Sequence, residues 1–325
     1  MTAHLPPAQA PLAPLRPALA GGLAMALLGA VAFSGKAIIV KLAYRHGVDA
    51  ITLLMLRMLL ALPFFALMAW WAGRAGKGKA VVVLTKKDLL GVAWLGFTGY
   101  YLASFLDFAG LAYISASFER LILYLNPTLV LLLGALLYRR PINGFQWAGL
   151  AISYGGVLAV FGHEVRLTGA NVGLGAGLVF GSAVSYALYL SYSGELVRRL
   201  GALRLVGLAS CVACLFCIAQ FAVLRSWSVL ATLDGAVWWL SVLNATACTV
   251  VPVVLVMLAI ERLGAGLAAQ VGMVGPMSTL AMSAWFLDEP LTLWVLGGTV
   301  LVMGGVLVCT RGKAPSGGTS TLSKS

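Results

Sequence analysis

Apolar positions run along this chain in uninterrupted stretches of about 20 residues, the length an α-helix needs to cross about 30 Å of hydrocarbon. Short polar breaks holding Arg, Lys, Asp, Gly or Pro separate them. Membrane-barrel strands would instead alternate over about 10 residues. The pattern predicts ten helical spans, at 19–43, 51–73, 88–110, 115–138, 142–161, 171–193, 204–224, 236–259, 264–287 and 291–310. Pro17, Pro141 and Pro290 stand at span starts, where a missing N–H costs least. Pro63, Pro127, Pro252 and Pro276 fall inside spans, where neighbouring groups must satisfy the freed carbonyls.

The pattern repeats. Residues 113–160 lie over 262–309 without a gap, so that Pro127 meets Pro276, Pro141 meets Pro290, Gly149 meets Gly298 and Gly155-Gly156 meets Gly304-Gly305. Five spans per half is an odd number, so the halves are expected to point oppositely through the membrane. The matched turns then fall on opposite faces, one reading Tyr138-Arg139-Arg140-Pro141 and the other Leu287-Asp288-Glu289-Pro290. The expected class is an all-α integral membrane protein, with ten transmembrane helices arranged as two inverted five-helix repeats. Residues 1–16 form an N-terminal tail, 17–161 the first repeat, 162–310 the second and 311–325 a polar C-terminal tail. No signal-peptide pattern precedes the first span.

Composition agrees: 61% of residues are hydrophobic and 10% charged, against about 25% charged in a soluble domain. The net charge of +12 would invite nucleic acid as a partner, but its distribution argues for topology. With the N-terminus in the cytoplasm, Arg16, Arg74, Lys77, Lys79, Lys86, Lys87, Arg139, Arg140, Arg198, Arg199, Arg204, Arg262, Arg311, Lys313 and Lys324 fall inside. Only Lys41, Arg45, Arg166 and Arg225 fall outside. That bias predicts both termini in the cytoplasm.

Both halves share a short Ser/Gly-Ala start, a mid-helix proline, a turn ending in proline and a closing Gly-Gly. These read Ser115-Ala116, Pro127, Arg140-Pro141 and Gly155-Gly156, then Gly264-Ala265, Pro276, Glu289-Pro290 and Gly304-Gly305. In this the chain resembles the ten-helix EamA-type carriers of the drug/metabolite transporter superfamily, over nearly its whole length. The family usually has Glu in the first turn as well, where Arg140 stands here. The resemblance implies export of small polar metabolites, amino acids among them, across a bacterial inner membrane.

A charge at the centre of a bilayer costs about 2.5–3.5 kcal/mol, which singles out Lys36, Arg57, Asp107, Glu119 and Arg120. At 1.5 Å per residue all five lie in the outer third, where they are expected to form a charge network or gate; structural ion pairs between helices would use the same residues. A substrate cavity is expected near the midplane, lined by Tyr100, Tyr101, Ser104, Tyr124, Asn126, Tyr186, Tyr189, Asn244, Thr246 and Gln270. Tyr100, Ser104 and Asp107 share one helical face, as do Arg120, Tyr124 and Pro127, and Ser182, Tyr186, Tyr189 and Ser193. Pro127 and Pro276 are hinge candidates, weakening two helices at matched points.

Other motifs carry no chemistry. Cys211, Cys214 and Cys217 mimic a metal motif but lack a fourth ligand. His4, His46 and His163 fall in tails or loops, and no phosphate loop appears. No cofactor or metal is expected, and the partners are a small-molecule substrate and membrane lipid, with a monomer sufficient. The leading function is a secondary carrier working by alternating access. Arg57 or Arg120 beside Asp107 or Glu119 would favour ionised carboxylates, hence uniport or exchange. The alternatives are a membrane enzyme acting on lipid and a proton-coupled drug exporter of the same fold.

Overall fold

The computed structural model describes residues 17–74, 83–139, 141–168 and 171–311. The expected tails, Lys77, Lys79 and Arg140 lie outside the described residues, apart from Arg311. The helices are α1 (Pro17–Tyr44), α2 (Ala50–Gly73), α3 (Lys86–Leu111), α4 (Ala116–Tyr138), α5 (Gly144–Thr168), α6 (Val172–Leu200), α7 (Ala202–Leu224), α8 (Gly235–Leu263), α9 (Ala265–Gly272 with Gly275–Phe286) and α10 (Leu293–Arg311). Among the described residues, nine helices are long and apolar enough to cross a membrane. The remaining expected span, α9, consists of two shorter pieces.

Short polar side chains start several helices by accepting from the first orphan N–H groups. Asp49 takes Ile51 N at 3.1 Å, Ser115 takes Phe118 N at 3.1 Å and Asp234 takes Ala236 N at 3.1 Å. Thr85 and Asp88 cap each other's backbone at the start of α3. The ends of α5, α6 and α8 run past their hydropathy limits, to Thr168, Leu200 and Leu263. Backbone hydrogen bonding does not stop where the apolar run stops, and these added turns carry Glu164, Arg166, Arg198, Arg199, Glu261 and Arg262.

Packing repeats the internal symmetry. The most extensive pairings are α5 with α10, α2 with α7, α1 with α8 and α3 with α6. Exchanging the halves, α1 for α6 through α5 for α10, returns the same set. The α5–α10 contact also gives the sense of the repeat. A Cβ on Gly149 would stand 2.6 Å from Gly305 O, and one on Gly156 would stand 3.0 Å from Gly298 O. Each glycine faces the other one's repeat mate, so these equivalent helices run antiparallel and the halves are inverted. Only glycine permits that backbone approach.

Four helices are irregular, in matched pairs. α3 and α8 widen to π geometry at Gly96–Leu102 and Thr246–Val250, where Ala103 N and Val251 N reach five residues back to Thr98 O and Thr246 O. α4 breaks after Leu123 and α9 after Gly272; each resumes with Pro127 or Pro276 in its first turn, where no N–H is needed. The left-handed residues Arg139 (φ 52°) and Asp288 (φ 58°) close α4 and α9 at matched positions. Large apolar side chains such as Trp71, Leu90, Leu136, Trp285 and Leu293 are exposed on the outside of the bundle, as a lipid-facing surface requires. One face holds the start of α1, the end of α10 and most basic residues, Arg74, Lys86, Arg198, Arg204 and Arg262 among them; it is called the basic face below.

Candidate functional site

Seven helices, the irregular α3, α4 and α8 among them, line a cavity of about 360 Å³ between the two halves. From the first half, α1 contributes Phe33 and Lys36, α2 Arg57, Met58 and Phe65, α3 Gly99, Tyr100, Ala103, Ser104 and Asp107, and α4 Arg120, Leu123, Tyr124 and Asn126. From the second half, α6 contributes Ser182 and Tyr186, α7 Val206, and α8 Thr249, Pro252, Val253, Val256 and Met257. Val206 lies in the second turn of α7 and Met257 less than two turns from the end of α8, while Asp107 and Arg120 lie about one turn from the ends of α3 and α4 at the opposite face, so the cavity reaches toward both faces. At the opposite face the helix ends are tied together. Lys41 Nζ donates to Ile114 O at 2.8 Å, and Arg45 Nη2 to Leu287 O at 2.9 Å. Glu289 accepts from Ala116 N at 2.8 Å, Ser117 N at 3.2 Å and Ser117 Oγ at 2.8 Å.

The five intramembrane charges divide into two sets. Lys36 Nζ pairs with Asp107 and lies 3.4 Å from Glu119 Oε1, with all three side chains at most 9% exposed. The arginines bond to neutral hydroxyls instead. Arg57 Nε donates to Thr249 Oγ1 at 2.9 Å, and the guanidinium carbon sits 5.3 Å from the centre of the Phe108 ring. Arg120 donates to Thr279 Oγ1 and to Ser34 Oγ, each at 2.9 Å. Each hydroxyl leans on a carbonyl at a helix irregularity: Thr249 Oγ1 donates to Asn244 O at 2.8 Å, and Ser34 Oγ lies 2.8 Å from Gly275 O. Tyr124 OH likewise donates to Gly272 O at 2.9 Å, at the break in α9.

Of the cavity residues expected from sequence, Tyr100, Ser104, Tyr124, Asn126 and Tyr186 line it, and Tyr101, Tyr189, Asn244, Thr246 and Gln270 do not. Tyr101 turns a helical step away and packs on Phe97 and Phe216. Tyr189 stands behind the wall, its hydroxyl 3.1 Å from that of Tyr100. Asn244 is fully buried, Thr246 bonds back to Val242 O at 2.7 Å, and Gln270 is exposed. Lys36, Arg57, Asp107 and Arg120 reach the cavity, while Glu119 is buried behind Lys36. Pro127 and Pro276 lie beside the breaks in α4 and α9 rather than on the cavity wall. Missed from sequence were Thr249, Thr279, Ser34 and Glu289. Thr249 was within reach, because carrying the repeat back into the third and eighth spans sets it over Tyr100. Glu289 stood out only as part of the Glu289-Pro290 turn, with no sign of its partner, and no local pattern marks Thr279 or Ser34.

A ten-helix bundle of inverted halves around a shared central cavity has the architecture of a membrane transporter built from inverted repeats. The family model of the EamA-like transporters matches residues 20–162 and again 173–311, and the chain belongs to that family. An uncharacterized transporter of Bacillus subtilis (strain 168), YcbK, is 33% identical over 88% of this chain and 93% of its own length. A second from the same organism, YetK, is 25% identical over 71% of this chain and 70% of its own. A crystal structure of a protein 16% identical covers 90% of this chain and 97% of its own, with a TM-score of 0.58, and supports the fold alone. Membership is in a transporter family and not an enzyme family, which sets aside the lipid-modifying alternative.

Proposed function

We propose that this protein exports small polar metabolites, amino acids foremost, across the bacterial inner membrane by alternating access, as a uniporter or exchanger. The observation that carries the reading is the cavity between the inverted halves. Both halves line it, and hydrogen bonds tie the helix ends at the face opposite the basic one. The basic face is the cytoplasmic one, by the excess of Arg and Lys there, so the tied helix ends close the described conformation to the outside. The matched breaks in α4 and α9 serve as hinges about which the opposite face opens.

Counterflow in liposomes tests this directly. Vesicles holding the purified protein and an unlabelled amino acid should accumulate the labelled one transiently and return it unaltered. No counterflow with any member of an amino-acid and metabolite panel removes the reading. Tags at both termini should be inaccessible from outside intact cells.

Lys36 supports a second reading, proton-coupled export. One ammonium faces two buried carboxylates, Asp107 and Glu119, and one proton would complete their charge balance. Uptake into vesicles driven by an imposed pH gradient, with no solute gradient, would favour coupling over uniport or exchange.

A further inference from the structure

Two guanidinium groups reach the cavity, and among the described residues neither forms an ion pair with a carboxylate. Arg57 is 93% buried by its 7% exposure, bonds through Nε to a neutral hydroxyl, and has an Nη1 without a hydrogen-bond partner. Arg120, on α4, also donates to hydroxyls, those of Thr279 and Ser34. The nearby acids lie against Lys36 instead, Asp107 as its ion pair and Glu119 at 3.4 Å. With all five groups ionised, three bases and two acids leave one positive charge in excess. A buried unpaired guanidinium is costly, and a bound anion removes that cost.

We propose that the solute carries a single carboxylate, seated by Arg57 and Arg120. This rests on the carrier reading above and names its substrate class. An excess of positive charge at the wall calls for an anionic group on the solute. The guanidinium fork matches a carboxylate's two oxygens. The rest of the wall sets the body of the solute: Phe65, Met58, Val253 and Val256 are apolar, and Tyr100 and Tyr186 offer ring faces. A carboxylate on an apolar or aromatic body, with or without an ammonium, satisfies both ends.

The seat also spans the two halves. Arg57 on α2 holds Thr249 on α8, and Arg120 on α4 holds Thr279 on α9. A carboxylate that draws either guanidinium toward itself competes with those bonds. Binding then loosens two ties between the halves that must move apart.

The test uses two acid–amide pairs, phenylacetate with phenylacetamide and L-phenylalanine with L-phenylalaninamide. Binding to the full chain in micelles is measured by calorimetry, and counterflow in liposomes with the same probes. At least one acid should bind about tenfold or more tighter than its amide. Arg57→Gln and Arg120→Gln should each erase that preference, and Arg57→Lys should keep part of it, having charge without the fork. If Arg57→Gln fails to fold, Arg57→Lys and Arg120→Gln read the same ratio. Equal affinity for acid and amide, a preference that survives both Gln variants, or stronger competition by inorganic phosphate than by phenylacetate overturns the proposal. An acid preference without counterflow leaves the carboxylate seat and removes the carrier reading. Counterflow of the amides, unchanged in Arg57→Gln, does the reverse.

Discussion

α4 and α9 are one element written twice, and they hold different things. Both break at the same place and resume on a proline, and both end in a left-handed residue. Yet α4 carries Glu119, Arg120 and Tyr124 toward the centre, while the matching positions on α9 are Ala268, Ala269 and Met273. Their starts differ as well. Ser115 and Glu289 together satisfy the first N–H groups of α4, whereas α9 follows Gly264 at φ 79° with no side-chain cap. The duplicated part is thus the backbone device, and the chemistry has settled on one copy. A two-fold framework suits a cavity that must open to either side, but a single solute needs only one set of charges.

This contrast can be broken in four ways. The largest effect is expected from Lys36→Met, which strands Asp107 and Glu119 in the first half. Thermal unfolding in micelles should show a loss of about 3–5 kcal/mol, the range for breaking a buried ion pair from one side. Adding Asp107→Asn and Glu119→Gln should recover most of it; no recovery would mean that Lys36 acts through packing alone. Next comes Glu289→Ala, which frees the start of α4 and should cost about 2–3 kcal/mol, since the lost bonds are to a charged acceptor. Glu289→Gln should fall between.

The symmetric regions predict symmetric responses. Gly149→Ala and Gly298→Ala are repeat mates at the α5–α10 crossing, and an added Cβ on each meets an atom within 2.6 Å. Each should lose about 1–3 kcal/mol by overpacking, and by similar amounts. A large difference would show that the crossing is not equivalent in the two halves.

The smallest effect concerns the face opposite the basic one. Asp49 is raised by its partial burial, but hydrogen bonds from Thr52 and Arg225 and the charge of Arg225 outweigh this and hold it below the usual aspartate range. Asp234 is held low by the Ala236 N–H and by His46. Carboxyls depressed in the folded state add stability above their unfolded value, about 3.9, and lose it as pH falls through the lower folded value. The melting temperature should therefore be level above about pH 5 and decline below about pH 4. Asp49→Asn with Asp234→Asn should flatten that decline.

Much of this was legible in the chain. Span number, the inverted repeat and the family features at Pro127, Pro276, Gly155-Gly156 and Gly304-Gly305 came from local composition and spacing. Apolar transfer is summed residue by residue, so span existence needs no knowledge of neighbours. The stripe Tyr100, Ser104, Asp107 also pointed to the cavity, because three residues on one helix share a face whatever that face meets.

Partner choice was not legible. Arg57 was as free by sequence to pair with Asp107 as to hold Thr249, and only the packing of α2 against α8 decided for the hydroxyl. Tyr101 and Tyr189 had the same residue type as Tyr100 and the same depth, and their rotation about α3 and α6 set them elsewhere. Glu289 reached the start of α4 across 173 residues of chain. Sequence by itself determined what must lie in lipid and how many times the chain crosses it. Tertiary structure decided which polar groups meet, since a charge in a low-dielectric interior interacts strongly only with groups a few ångströms away, and that distance is set by helix packing.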